Sequence, residues 1–336
     1  MRLRFLQPLV FVLAALLTLP AFGQGVTYKQ ETRMSFEGLG FAGRLANQKM
    51  ESEVWIQGAM HREDTKKPKQ STIIDLENER YIFLDHKEKT YSSVSFAEYA
   101  EKIDAMIENV GAEMEAEQQD QDVRTNVSFD VDAGKTGRRK EVNGFDAEQT
   151  VMTMRIDYDA ETEEGTEVQG TMFVVTDMWM AVGDEDGVQV INAYNQRMAA
   201  EMGEALQGTN FMDNMGEAGG MMDPRLGAGM TKMMEEMKDM AGFAVQTNMH
   251  YVLVPEGEDL DVDAVIGEKK KKGGGGLLGG LQRMANAASG GQTDVEEQMT
   301  ILKTSIKVKD MKTKSIKTNR FEIPSKYKER PFSFDS

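Results

Sequence analysis

Apolar and polar residues alternate with a period of two in segment after segment of this chain, and that periodicity restricts its fold more than any other feature. Val127, Phe129 and Val131 alternate with Asn126, Ser128, Asp130 and Asp132. Met152, Met154, Ile156 and Tyr158 alternate with Val151, Thr153, Arg155 and Asp157, and Leu302, Ile306 and Val308 with Lys303, Ser305, Lys307 and Lys309. Weaker versions run through residues 28–36 and 50–56. Apolar-in, polar-out alternation is what an antiparallel sheet with one wet face requires, whereas strands buried on both faces read as continuous apolar runs. Turn residues separate the runs at Asn78, Asn143-Gly144, Gly165 and Asp184 to Gly187. The expected class is mainly antiparallel β with some helix (α+β), and the pattern argues against a doubly wound α/β fold.

Two helices are expected beside the strands. Ser95-Phe96-Ala97-Glu98 is a capping box. It opens a stripe of Phe96, Tyr99, Ala100, Ile103, Met106, Ile107 and Val110 at helical spacing. A second helix begins near Val188 and continues through Ile191, Tyr194 and Met198 into a Gly- and Met-rich stretch. A one-faced sheet with so few amphipathic helices must curl around them or leave apolar surface exposed.

The N-terminus sets the expected compartment. Arg2 and Arg4 precede an apolar run over residues 9–19, and Pro20 is followed by Ala21-Phe22-Gly23, a secretory signal with cleavage near Gly23/Gln24. The expectation is a signal peptide over residues 1–23 and a protein exported to the periplasm. Residues 24–336 then form one domain with two insertions. One is Met-rich and helical, about residues 198–240. The other is flexible, about residues 267–293, where Lys269, Lys270, Lys271 and Lys272 run into four glycines.

Charge and composition remove several functions. The formal charge is −17, which disfavours nucleic acid as a partner. The chain has no cysteine, and its three histidines, His61, His86 and His250, form no pair with ligand spacing, so neither a disulfide framework nor a zinc site is expected. No nucleophile elbow, HExxH motif or phosphate loop is present, so the chain reads as a non-enzyme without a cofactor.

Three ordered patterns carry a family resemblance. The first runs Trp55-Ile56-Gln57-Gly58, Arg62, Asp64, Ile73-Ile74-Asp75-Leu76, Arg80-Tyr81-Ile82-Phe83 and Thr90-Tyr91. The second is Val142-Asn143-Gly144-Phe145 leading to Asp177-Met178-Trp179-Met180-Ala181, and the third is Arg320-Phe321-Glu322-Ile323-Pro324 with Tyr327-Lys328. Together they resemble exported proteins of unknown function similar to the periplasmic lipoprotein carriers LolA and LolB, over roughly residues 25–110, 125–195 and 240–330. The resemblance implies an open, curled half-barrel with amphipathic helices packed in or over its concave face. It also implies an apolar concavity that receives acyl chains.

Candidate cavity residues are Tyr28, Phe129, Met152, Met154, Tyr158 and Tyr251 on the inner strand faces, with Met233 and Met237 from the Met-rich segment. These side chains could equally interdigitate as packed core. Twelve methionines fall between Met198 and Met249. They read as an ordinary amphipathic helix, as a pliable cover over apolar ligands, or as thioether ligands for a soft metal. The four lysines are a solvated tether or a contact with anionic lipid. The functional expectation is an envelope protein binding lipid or another apolar ligand. The alternative is a structural or protein-interaction module with a fully packed barrel.

Overall fold

The structure is a computed structural model that describes residues 24–36, 47–103, 105, 124–161, 167–183, 185–207, 242–254, 258–267 and 298–333. The signal region, the Met-rich residues 208–241 with Met233 and Met237, and lysines 269–272 lie outside the described residues. Within them the chain is mostly strand, and all twelve strands belong to one open sheet.

Two antiparallel meanders make that sheet. The first consists of β1 (Gly25–Phe36), β2 (Gln48–Gln57), β3 (Met60–Thr65), β4 (Gln70–Asp75), β5 (Arg80–Asp85) and β6 (Thr90–Ser95). The second consists of β7 (Arg124–Val142), β8 (Phe145–Glu161), β9 (Glu167–Ala181), β10 (Ala244–Val254) and β11 (Met299–Lys314). β1 pairs with β11, so the meanders join along their first and last strands, and β12 (Lys328–Glu329) adds a short parallel edge beside β6. The turn between β7 and β8 has Asn143 and Gly144 at φ 53° and 91°, the left-handed pair that matches hairpin twist. Near the middle of β7 the register jumps, so that Thr136, Gly137 and Arg138 face the single residue Gln149 of β8.

One face of the sheet carries the main core. Val26 and Tyr28 of β1, Val54 and Ile56 of β2, Tyr81 of β5 and Val308 of β11 meet Phe96 of helix α1 (96–103) and Ile191 and Tyr194 of helix α2 (Asp186–Gln207). Each such aliphatic or aromatic side chain adds roughly 1.5–3 kcal/mol through burial. Ser95 caps α1 by accepting from the Glu98 amide at 3.1 Å. α2 starts at Asp186, so Asp186 and Gly187 are helical rather than turn residues. At Gly187 a Cβ would stand 2.7 Å from the Met311 sulfur, so a larger residue there would require the Met311 side chain to move.

The opposite face is divided in two. Over β2–β5 the chain after β11 forms a strap in which Ile316, Phe321, Ile323 and Tyr327 cover Trp55, Ile73, Ile82 and Leu84. Polar groups pin it down. Arg62 donates to Asp64 at 2.6 Å, to Ser71 at 3.1 Å and to the Arg320 carbonyl at 2.8 Å, while Arg320 reaches Asp64 at 2.8 Å and stacks over Trp55. Over β9 and β10, the five-residue helix α3 (Val262–Ile266) covers Val175, Val252 and Val254. Between strap and α3 the face is open. Among the described residues no helix is long and apolar enough to cross a membrane.

Candidate functional site

The open part of that face holds a cavity of about 810 Å³, with Ile266 of α3 at one end and Trp179 in its wall. Seven neighbouring strands, from β2 to β7 in sheet order, contribute to its lining. Register explains which residues reach it. Tyr28 lies on the helix-bearing face, so Arg33, five positions on, projects to the other side. Across the ladder Arg33 pairs with Ser305, Ser305 with Asn248, and Asn248 with Asp177, all on the cavity face.

A hydrogen-bond chain crosses five strands along the cavity floor. The Thr136 hydroxyl donates to Gln149 Oε1 at 2.9 Å, and Gln149 Nε2 donates to Asp177 Oδ1 at 2.7 Å. From the other side the Ser305 hydroxyl donates to Asn248 Oδ1 at 2.9 Å, and Asn248 Nδ2 donates to Asp177 Oδ2 at 3.0 Å. Trp179 Nε1 adds a third donor at 3.3 Å. The bulge in β7 is what brings Thr136 over Gln149. Asp177, only 5% exposed, is thus satisfied by neutral N–H groups and takes no cation out of the cavity.

Cations dominate the walls. Arg33, Lys49, Arg138, Lys140, Lys303 and Lys307 line the cavity, against Asp177 as its sole carboxylate among the described lining residues. Arg33 pairs with Glu31 at 2.6 Å, Lys49 with Glu51 at 2.7 Å, and Arg138 with Asp263 at 2.7 Å. Lys140 sits 3.8 Å above the Trp179 ring. Lys303 and Lys307 have no ion-pair or ring partner among the described residues. The Lys309 ammonium, helped by Arg33 and Lys49, holds the Glu31 carboxyl down to about 2. Burial, with Lys303 next to it, holds His250 down to about 4, so its ring is neutral near pH 7.

Such a site can hold an anion by charge-assisted hydrogen bonds. Its Ser305 proton is committed to Asn248, and no base addresses the hydroxyl. Among the described residues a serine–histidine contact lies elsewhere, under the strap. There Ser71 donates to Asp64, and His86 bridges Ser71 and the Tyr327 hydroxyl, which makes a staple rather than an activated nucleophile. Among the described residues no group of three or more His, Asp or Glu could hold a metal ion.

Tyr28, Met152, Met154 and Tyr251, expected to line an apolar cavity, fall on the other face. Tyr28 is buried in the main core, with its ring 5.7 Å from Phe243. Met152 is buried, while Met154 and Tyr251 are half-buried and share one cross-strand row through Val174. Positions 129 and 158 belong to the same register set, facing Ile156 and Val127; the side chains of Phe129 and Tyr158 lie outside the described residues. Tyr28, Met152, Met154 and Tyr251 line neither the 810 Å³ cavity nor the smaller one of about 220 Å³ between the end of the strap and β4–β6.

Sequence reasoning missed the polar cavity. The available signal was in β10, where Gln246, Asn248 and His250 occupy one face with uncharged polar groups, which suit a partly covered floor better than open water. Comparison with known protein families and with curated proteins finds no match for this chain.

Proposed function

We propose that this chain is a non-catalytic, exported binding protein, an open half-barrel similar in plan to the LolA and LolB carriers, that takes an anionic ligand in the cationic cavity. The carrying observation is that Lys303 and Lys307 have no ion-pair partner among the described residues, in a concavity of a chain whose net charge is −17. In so acidic a protein, carboxylates are abundant enough to neutralise every lysine, and a cavity that keeps two of them free favours an incoming anion. Titration with citrate, sulfate and phosphate, followed by the fluorescence of Trp179 in the cavity wall, tests this reading. Saturable, salt-sensitive change supports it; no response to any of the three overturns it.

A second reading keeps an apolar ligand on the helix-bearing face, favoured by the half-buried row of Met154 and Tyr251. There an apolar dye would bind one-to-one and be displaced by fatty acid. Met154→Ala would then cost less than the ~2–5 kcal/mol expected for truncating a packed core side chain. Failure of both probes would favour the packed interaction module.

A further inference from the structure

Charge balance inside the cavity narrows the ligand further, on the reading of the cavity as an anion site. Lys303 and Lys307 lie on the same face of β11, four residues apart, or about 13 Å between Cα atoms at strand rise. Ser305 stands between them, and Arg33 faces Ser305 directly from β1. The three cations therefore surround one point. Arg33 spends its Nε on Glu31, and its two terminal nitrogens make no bond to the described residues. Glu31 is shared by Arg33, Lys49 and Lys309, so the uncompensated charge at that point is at least the +2 of the two lysines. Ser305 can accept there but not donate, because its proton goes to Asn248.

We infer that the charged group held between Lys303, Arg33 and Lys307 is a phosphomonoester. A monoester phosphoryl group carries close to −2 at neutral pH and offers three terminal oxygens, one for each cation. The guanidinium fork matches such a group bidentately, while each ammonium acts as a point charge. A sulfate ester or a single carboxylate brings only −1 and leaves a lysine unmet. The group could belong to a water-soluble phosphate ester or to a phosphomonoester lipid headgroup, and the chemistry at the three cations is the same.

The test is calorimetric titration of the full exported chain with glycerol 3-phosphate, methyl sulfate and malonate, alongside flotation with vesicles containing phosphatidic acid. Glycerol 3-phosphate is expected to bind at least ten-fold more tightly than methyl sulfate or malonate. Lys303→Gln and Lys307→Gln should each weaken it about ten-fold, the worth of one charge-assisted hydrogen bond. Arg33→Lys, which keeps the charge and loses the fork, should weaken it as well while the circular dichroism and thermal midpoint stay unchanged. Binding to phosphatidic acid vesicles that Lys303→Gln abolishes, without binding of glycerol 3-phosphate, assigns the phosphoryl group to a lipid. Malonate binding as tightly as glycerol 3-phosphate, or indifference to Arg33→Lys, overturns the phosphomonoester and leaves the anion site standing. No binding of any anion overturns both.

Discussion

The two halves of the face opposite α1 and α2 begin from the same pattern and finish in different electrostatic states. Under the strap, charge is answered by charge: Arg62 and Arg320 both meet Asp64, and Asp75 takes Arg80 at 3.2 Å. In the open half, the buried carboxylate is answered by two amides and an indole, and two lysines are left over. The difference follows from what covers each half. A guanidinium sealed beneath a strap loses its water and must find a carboxylate, because an unpaired buried charge costs several kcal/mol. A lysine beside a water-filled cavity keeps its hydration, so it can wait for a ligand at little cost in stability. The lesson is that unmatched charge in this molecule marks where the fold is finished but the surface is not.

Removing Arg62 would test the covered half most severely. Arg62→Ala leaves Asp64 with one cation and frees the Ser71 and Arg320 contacts, so denaturant unfolding should show a loss of about 3–5 kcal/mol. A loss under 1 kcal/mol would mean that the strap is held by apolar contact alone. Acid comes next. Burial holds His61, under α2, and His250, on the cavity floor, down to about 4, whereas unfolded histidine titrates near 6.5. Between those values the unfolded chain binds more protons, so stability is complete above pH 6.5 and falls as pH drops toward 4. The loss is at most about 3 kcal/mol per histidine. His61→Phe removes one share of that slope and also the buried Nδ1 that has no hydrogen-bond partner. A pH profile unchanged by His61→Phe would contradict a dry His61.

Asp177→Asn should cost about 1–3 kcal/mol. It turns one acceptor of the floor into a donor facing donors, leaving a buried N–H group unmatched. Were it neutral in thermal melts, the floor would be wetter than the strap's underside and the contrast between the halves weaker. The smallest effect is expected from Lys303→Gln with Lys307→Gln, which should move stability by no more than about 0.5 kcal/mol, because neither ammonium has an ion-pair partner among the described residues. A larger drop would show that these lysines serve the fold.

Much of this architecture was legible before any coordinates. The period-two rows in residues 126–132, 151–158 and 302–309 became β7, β8 and β11 with their apolar residues on one face, because one-sided burial is what creates that pattern. Ser95 capped a helix, and Asn143-Gly144 closed a two-residue hairpin, both being local chemistry. Joining the two meanders through β1 and β11 was not legible, since residues some 280 positions apart leave no local mark. The ending from Arg320 to Lys328 forms a pattern in the sequence, but nothing in it announces a strap over Trp55. The cavity was hardest to see. Lys303 and Lys307 look like the wet side of any alternating strand, and Asp177 is one of 56 acidic residues, so only their placement around a common concavity sets them apart.

The bulge in β7 matters beyond the cavity it helps to build. Among the described strands β7 is the outer edge of the sheet, paired to β8 alone, and nineteen residues of straight edge would present an uninterrupted row of backbone donors and acceptors to any stray strand. With Thr136, Gly137 and Arg138 crowded opposite one residue, and Gly137 turned to φ 73°, that row is broken near its middle. A second chain zipping along from either end loses register there, beside the exposed charges of Arg139 and Lys140. The distortion that aims a hydroxyl at Gln149 also interrupts the backbone row that an edge-to-edge pairing would need.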